Sequence, residues 1–198
     1  AVELLKKLIA EQVQIYRRTN VVKSEKFSEI IQGVMNRYLN GMLTNEEVIE
    51  ELLKMAQQIR EAHDAGDELG LSEDELAFYD ALTKPQAIKD FYENDELIAI
   101  TKELTDALRK NRSIDWQKRD SARAKMRMMI KRLLKKHKYP PEGMDDAVAT
   151  VMLQCELWTD NNDMEHRVVN YSEVLKENKN QDMMMVAEDK GTYDNDKC

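Results

Sequence analysis

The sequence is poor in the residues that sheets and tight turns need: 198 residues hold only six glycines and three prolines. So few breakers leave little room for the chain reversals of a sheet protein, and an all-α fold is expected, an irregular bundle of about seven helices with no sheet. Cysteine is almost missing too. Cys155 and Cys198 have neither metal-ligand spacing nor a paired framework, which fits a reducing cytoplasm and excludes a disulfide scaffold. No apolar run approaches 18 residues and no signal peptide opens the chain, so nothing points to a membrane span or secretion. Gly33, Gly41, Gly66, Gly70, Gly143 and Gly191 are scattered singly or sit in an acidic stretch, so there is no glycine-rich loop of P-loop type to wrap nucleotide phosphates.

What is present is charge, unevenly distributed. Charged residues make up 34% of the chain, the net charge is -8, and the mean hydropathy is -0.67. From Gln117 to Lys138, however, ten Lys or Arg stand against one acid, Asp120. That window at +9 in a chain at -8 leaves -17 for the remainder, an asymmetry that calls for an acidic partner or for complementarity within the fold. At helical periodicity Ala122, Met126, Met129, Ile130, Leu133 and Leu134 share one arc. Lys118, Lys125, Arg127, Lys131, Arg132, Lys135, Lys136 and Lys138 point away from it, while Arg119 and Arg123 sit at its edge. Pro140 and Pro141 are expected to end this helix.

The periodicity predicts further helices. Residues Glu3 to Arg18 place Leu4, Leu5, Leu8, Ile9, Ile15 and Tyr16 near one face, followed by a connector from Thr19 to Lys23. Ser24 is the expected cap of a second helix with Phe27, Ile30, Ile31, Val34, Met35, Tyr38 and Leu39 on its buried stripe, closed by Gly41. Thr44 with Glu47 and Ser72 with Glu75 spell two capping boxes, the second after an acidic loop, Asp64 to Gly70. A short helix after Pro85, a longer one to Lys110, and a last one from Met144 to Trp158 complete the set. Residues 159–198 are rich in Asn, Asp, Glu and Lys and read as a divergent polar tail, poorly ordered or partly helical. The chain opens inside a helical pattern at Ala1, as a piece of a longer protein would.

Candidate sites are few. His63, His137 and His166 have no second ligand at metal spacing, and Asp160, Asp163 and Glu165 lack the glycine and the last glutamate of a calcium loop. Asp182, Glu188 and Lys190 mimic the carboxylate and lysine pattern of magnesium-dependent nucleases without the strands that chemistry needs, which leaves a metal-dependent nuclease in the tail as a remote alternative. No catalytic residue and no metal site is assigned. The basic face has three readings: contact with a phosphate backbone through Arg127, Lys131, Lys135 and Lys138; contact with an acidic protein or neighbouring domain; or a solvated surface answered by Asp67, Glu68, Glu73, Asp74 and Glu75. Only Trp116 and Tyr139 flank it, which argues against base stacking.

Four separated runs carry a family likeness: Asn20-Val21-Val22 with Ser24 and Phe27-Ser28-Glu29; Glu46 to Leu52; Glu68 to Leu82; and Ile114-Asp115-Trp116 followed by Arg123-Ala124-Lys125, Lys131 to Leu134 and Tyr139-Pro140-Pro141. In this order they resemble the C-terminal region of the motor, or restriction, subunit of type I restriction-modification enzymes, over residues 1–158. The resemblance implies a large bacterial or archaeal cytoplasmic enzyme that translocates duplex DNA with ATP and magnesium and then cuts it. It further implies that nuclease and ATPase residues lie upstream, so no cofactor is expected in this stretch. Its helical C-terminal domain would serve assembly with the modification and specificity subunits of the methyltransferase, and could touch duplex DNA. Asp115 and Trp116 are the expected partner anchor, and the basic helix the binding face. The connector from Lys84 to Asp95 departs from the pattern, and nothing after Trp158 matches it.

Overall fold

The computed structural model describes residues 1–84, 86–112 and 116–160. Among them every regular element is a helix. The order is α1 (Val2–Thr19), α2 (Val21–Leu39), α3 (Asn45–Leu69), α4 (Glu73–Thr83), α5 (Gln86–Phe91), α6 (Asn94–Asn111), a 3-10 turn (Trp116–Lys118), α7 (Asp120–Lys136) and α8, over residues 141–160. The described residues form an all-α fold, as the scarcity of breakers implies.

The unit from Ala1 to Trp158 holds two separate apolar cores. The smaller lies inside α1, α2 and α3, where Ile9, Val13, Phe27, Val34, Val48, Leu52, Met55 and Ile59 are buried. The larger joins α4 through α8 and includes Phe78, Leu82, Leu104, Leu108, Trp116, Ile130, Leu134, Val151 and Trp158. Burial at about 25 cal/mol per Å² makes each such cluster the main force fixing its helices. In the larger core, Trp158 meets Phe78 edge-on with ring centroids 5.7 Å apart and donates its indole N–H to Asp74. Tyr139 donates to the Leu82 carbonyl at 2.7 Å and Tyr92 to the His137 carbonyl at 2.8 Å, tying the α7–α8 connection to α4 and to the α5–α6 connection.

Both capping boxes are present in full. Thr44 accepts from the Glu47 amide while Glu47 accepts from the Thr44 amide, and Ser72 and Glu75 repeat the pattern. Each such cap is worth about 1 kcal/mol.

Three boundaries differ from the sequence expectation. The connector from Thr19 to Lys23 does not exist: Asn20 alone separates α1 from α2. Its backbone N–H closes α1 on Tyr16, and its side chain, not that of Ser24, accepts from the Lys23 amide. The acidic stretch from Asp64 is not a loop. It continues α3 to Leu69 and stops at Gly70 (φ 61°), with Gly70 bonding back to Asp67 and Leu71 to Gly66 in a left-handed cap. Helix α7 ends before the prolines, through Lys138 (φ 59°), whose N–H bonds to Lys135 while Tyr139 bonds to Leu134. Pro141 is the first residue of α8, where a missing N–H costs nothing.

The apolar stripes also divide. In α1 only Ile9 and Val13 are buried, while Leu4, Leu8 and Ile15 stand out in solvent. Leu39, expected on the buried stripe of the second helix, is exposed as well, and so is Leu53 of α3.

Candidate functional site

The basic window becomes the turn Trp116–Lys118 followed by α7. Met126, Ile130, Leu133 and Leu134 bury one face of the helix, Ala122 and Met129 pack partly against the same core, and the rest of the surface carries the cations. Asp120 in the first turn and Lys135 and Lys136 in the last complement the helix dipole, so the charge pattern favours the helix as well as its surroundings.

The cations fall into two groups. Arg123 pairs with Glu156 at 2.7 Å, Lys131 with Asp145 at 2.9 Å and Lys136 with Glu103 at 2.7 Å. Glu103 also receives His137 at 2.7 Å, and these hydrogen bonds, that from Lys136 foremost, hold its carboxyl below the usual range. The acids answering α7 therefore come from α6 and α8, not from the run Asp67 to Glu75. Asp74 of that run instead faces Trp158 and, at 3.9 Å, Arg109. Arg119, Lys125, Arg127, Arg132, Lys135 and Lys138 are exposed and form no ion pair among the described residues. Lys118 is exposed too and has an interaction of its own. Met128, 54% exposed, lies among the free cations.

Of the expected anchor, Asp115 lies outside the described residues, and Trp116 is 1% exposed within the larger core. In this conformation Trp116 is a packing residue and offers no surface to a partner. A cavity of about 250 Å³ opens beside it, lined by Asn111, Arg119, Ser121, Lys125 and Met129 among others. Glu188, Lys190 and the other tail candidates, Asp182, Asp163, Glu165 and His166, also lie outside the described residues.

A residue in the left-handed region at the end of α7 has an energetic signature. A lysine held at φ 59° carries Cβ strain that glycine lacks. Against this, glycine loses more chain entropy on folding. Lys138→Gly is expected to raise stability by about 0.5–1 kcal/mol, read as a shifted urea midpoint at unchanged slope.

A second polar assembly has no counterpart among the candidates named from sequence. Lys23 is buried at 8% exposure. Its ammonium donates to the Ala62 carbonyl of α3, lies 3.5 Å from Asp80 Oδ2 of α4, and sits over the Tyr16 ring of α1 at 5.7 Å. Asn20 donates to the same Asp80 oxygen at 2.7 Å. Burial, the largest influence, holds the Lys23 pKa below its ordinary 10.5, while the Asp80 charge acts in the opposite sense. The folded chain thus binds this proton less tightly than the unfolded one, and the ammonium's burial cost is relieved only as pH rises toward 10.5. The signal was in the sequence: Lys23 lies four residues before Phe27, on the apolar stripe of α2, where a solvated lysine would not be placed. From the other side, Gln154 of α8 donates to the Thr19 carbonyl at 2.8 Å and accepts from the Val21 amide at 2.9 Å, clipping the helix junction. These contacts join the two cores.

Chemistry-bearing groups are otherwise sparse. The described residues contain no cluster of three metal-ligating side chains, and none of their helices is long and apolar enough to cross a membrane. Cys155 is buried, its thiol pushed up to about 12, so it is poorly disposed to react.

Comparison with known proteins places this geometry. A family described as type I restriction enzyme HindI endonuclease subunit-like, C-terminal, matches residues 1–161. The chain is 37% identical over 155 residues to the type I restriction enzyme HindI endonuclease subunit of Haemophilus influenzae, covering 78% of this chain and 15% of that relative. It is 32% identical over 145 residues to the putative type I restriction enzyme MjaIXP endonuclease subunit of Methanocaldococcus jannaschii, covering 73% and 13% respectively. The chain thus spans a small part of the length of these relatives. No solved structure matches it.

Proposed function

We propose, since the chain belongs to the family of type I restriction enzyme HindI endonuclease subunit-like C-terminal regions, that it is a non-catalytic helical assembly module. It docks an ATP-dependent, DNA-translocating and DNA-cleaving subunit onto the modification and specificity subunits of the methyltransferase. The ATP and magnesium chemistry belongs to other domains of that subunit. The observation that carries this reading is the set of exposed cations on α7 and at its two ends, Arg119, Lys125, Arg127, Arg132, Lys135 and Lys138, which form no ion pair among the described residues and surround the exposed Met128. The inner face of α7 is already committed to the core, so only this outer face is open to a partner. Like charges gathered on one face are mutually unfavourable until an anionic surface meets them, which favours a specific acidic partner over solvent.

The test is capture by immobilised methyltransferase core. The complete subunit is expected to bind, and Arg127→Glu, Arg132→Glu and Lys135→Glu together are expected to abolish binding while the helical circular dichroism persists. Undiminished capture after deletion of residues 113–158 would sink the reading.

A second reading is favoured by the same free cations. Arg127, Arg132, Lys135 and Lys138 are available to neutralise duplex phosphates without reading bases, whereas Lys131 is engaged by Asp145. About four such contacts correspond to a log-log salt slope of roughly -3 to -4 for binding of the 198-residue chain to duplex DNA, by fluorescence anisotropy. A flat salt dependence, or no binding at low ionic strength, would exclude it.

A further inference from the structure

Helix α1 is apolar on two sides. Toward the bundle it buries only Ile9 and Val13 of its 18 residues, with Leu5 and Tyr16 partly covered. On its outer side Leu4, Leu8 and Ile15 are 65%, 50% and 52% exposed. At 3.6 residues per turn these three fall within about 40° of one another and form a stripe about 16 Å long. Exposed Glu11 and Gln12 flank it. Of the nine large hydrophobic residues exposed in the described structure, six, including Leu39, Met42 and Leu53, lie on α1 to α3 and their connections. Tyr16 stacks on Phe27 at 5.6 Å, so α1 and α2 run as a hairpin and the Leu4 end of α1 shares an end of the bundle with Leu39 and Met42. A helix with so little inner burial and an aliphatic outer stripe is built to be covered on both sides.

The occupant follows from position. The family is described as a C-terminal region, and the match covers 15% and 13% of two of its relatives. In such subunits most of the polypeptide precedes α1, which makes α1 the helix nearest in sequence to that part. We infer that the outer stripe of α1, Leu4, Leu8 and Ile15, is the seat of the preceding domain of the same endonuclease subunit. α1 is then an interdomain helix, and the basic face of α7 is left free for the other partner. The inference rests on the chain being the C-terminal domain of an endonuclease subunit, but not on what α7 binds.

Hydroxyl-radical footprinting of side chains tests it, comparing the 198-residue chain with the complete subunit in the absence of methyltransferase and DNA. Oxidation of Leu4, Leu8 and Ile15 is expected to fall several-fold in the complete subunit. Equal oxidation in both would overturn the inference, as would protection in the 198-residue chain that grows with its own concentration, which would assign the stripe to a second copy. Leu8→Gln with Ile15→Gln supplies the control. It is expected to leave the melting of the 198-residue chain unchanged and to speed proteolysis ahead of α1 in the complete subunit, and unaltered proteolysis would count against the seat. Failure of capture by methyltransferase would sink only the role of α7, because no methyltransferase enters this experiment.

Discussion

Trp116→Ala is expected to destabilise the 198-residue chain by about 3–5 kcal/mol, the range for truncating a fully buried large aromatic. Trp116 is 1% exposed and is among the largest fully buried side chains of the molecule. It stands on the 3-10 turn between α6 and α7, in the same core as Leu108, Ile130 and Trp158. Its removal leaves a void at the point where the chain must turn into the basic helix, so the geometry of α7 depends on it. Urea unfolding followed by circular dichroism would show the midpoint falling with the slope preserved. A variant as stable as the parent, but weakened in partner binding, would return Trp116 to the role of surface anchor.

The second large effect is expected at Asp80. Asp80→Ala removes the carboxylate that faces the Lys23 ammonium and accepts from Asn20, leaving a cation in a site where it is 8% exposed. Removing one partner of a buried pair costs about 3–5 kcal/mol. With the Asp80 side chain 19% exposed and partly solvated, about 3 kcal/mol is expected. The double variant Lys23→Met, Asp80→Ala is expected to recover most of that loss, because the uncompensated charge goes with its partner. Additive losses in the double-mutant cycle would show that the two side chains act independently.

The parts of this fold legible in the sequence are those written in local chemistry. Thr44 with Glu47 and Ser72 with Glu75 announce helix starts because side chain and amide lie within one turn of each other. The stripe of Met126, Ile130, Leu133 and Leu134 announces its own buried face. What escaped is settled by contacts between distant segments. The stretch from Asp64 to Leu69 reads as a loop because it is acidic at a helix C-terminus. Yet Gly66 there lets the Leu71 carbonyl and the Leu76 side chain approach to 3.2 and 3.3 Å of where a Cβ would stand, and no periodicity reveals that packing. Leu4, Leu8 and Ile15 fit a core stripe by spacing alone, but the bundle buries the neighbouring arc through Ile9 and Val13. The acids that meet α7, Glu103, Asp145 and Glu156, are separated from their partners by 14 to 34 residues. Their choice over Asp67 to Glu75 belongs to the tertiary fold. Trp116 shows the same limit: its type suits an interface and a core equally well, and only the path of the chain decides.

The clip made by Gln154 has a consequence in time. Its two bonds to Thr19 and Val21 span 135 and 133 residues, nearly the whole described chain. The contacts within α1 to α3, by comparison, close over short separations, which favours their early formation. On a ribosome adding about 5–20 residues per second, Leu69 precedes Gln154 by roughly 4–17 s. The first three helices thus meet water as a nascent bundle. The Thr19 carbonyl and Val21 amide stay hydrated through that interval, and the two cores become one body when α8 emerges and its glutamine displaces that water.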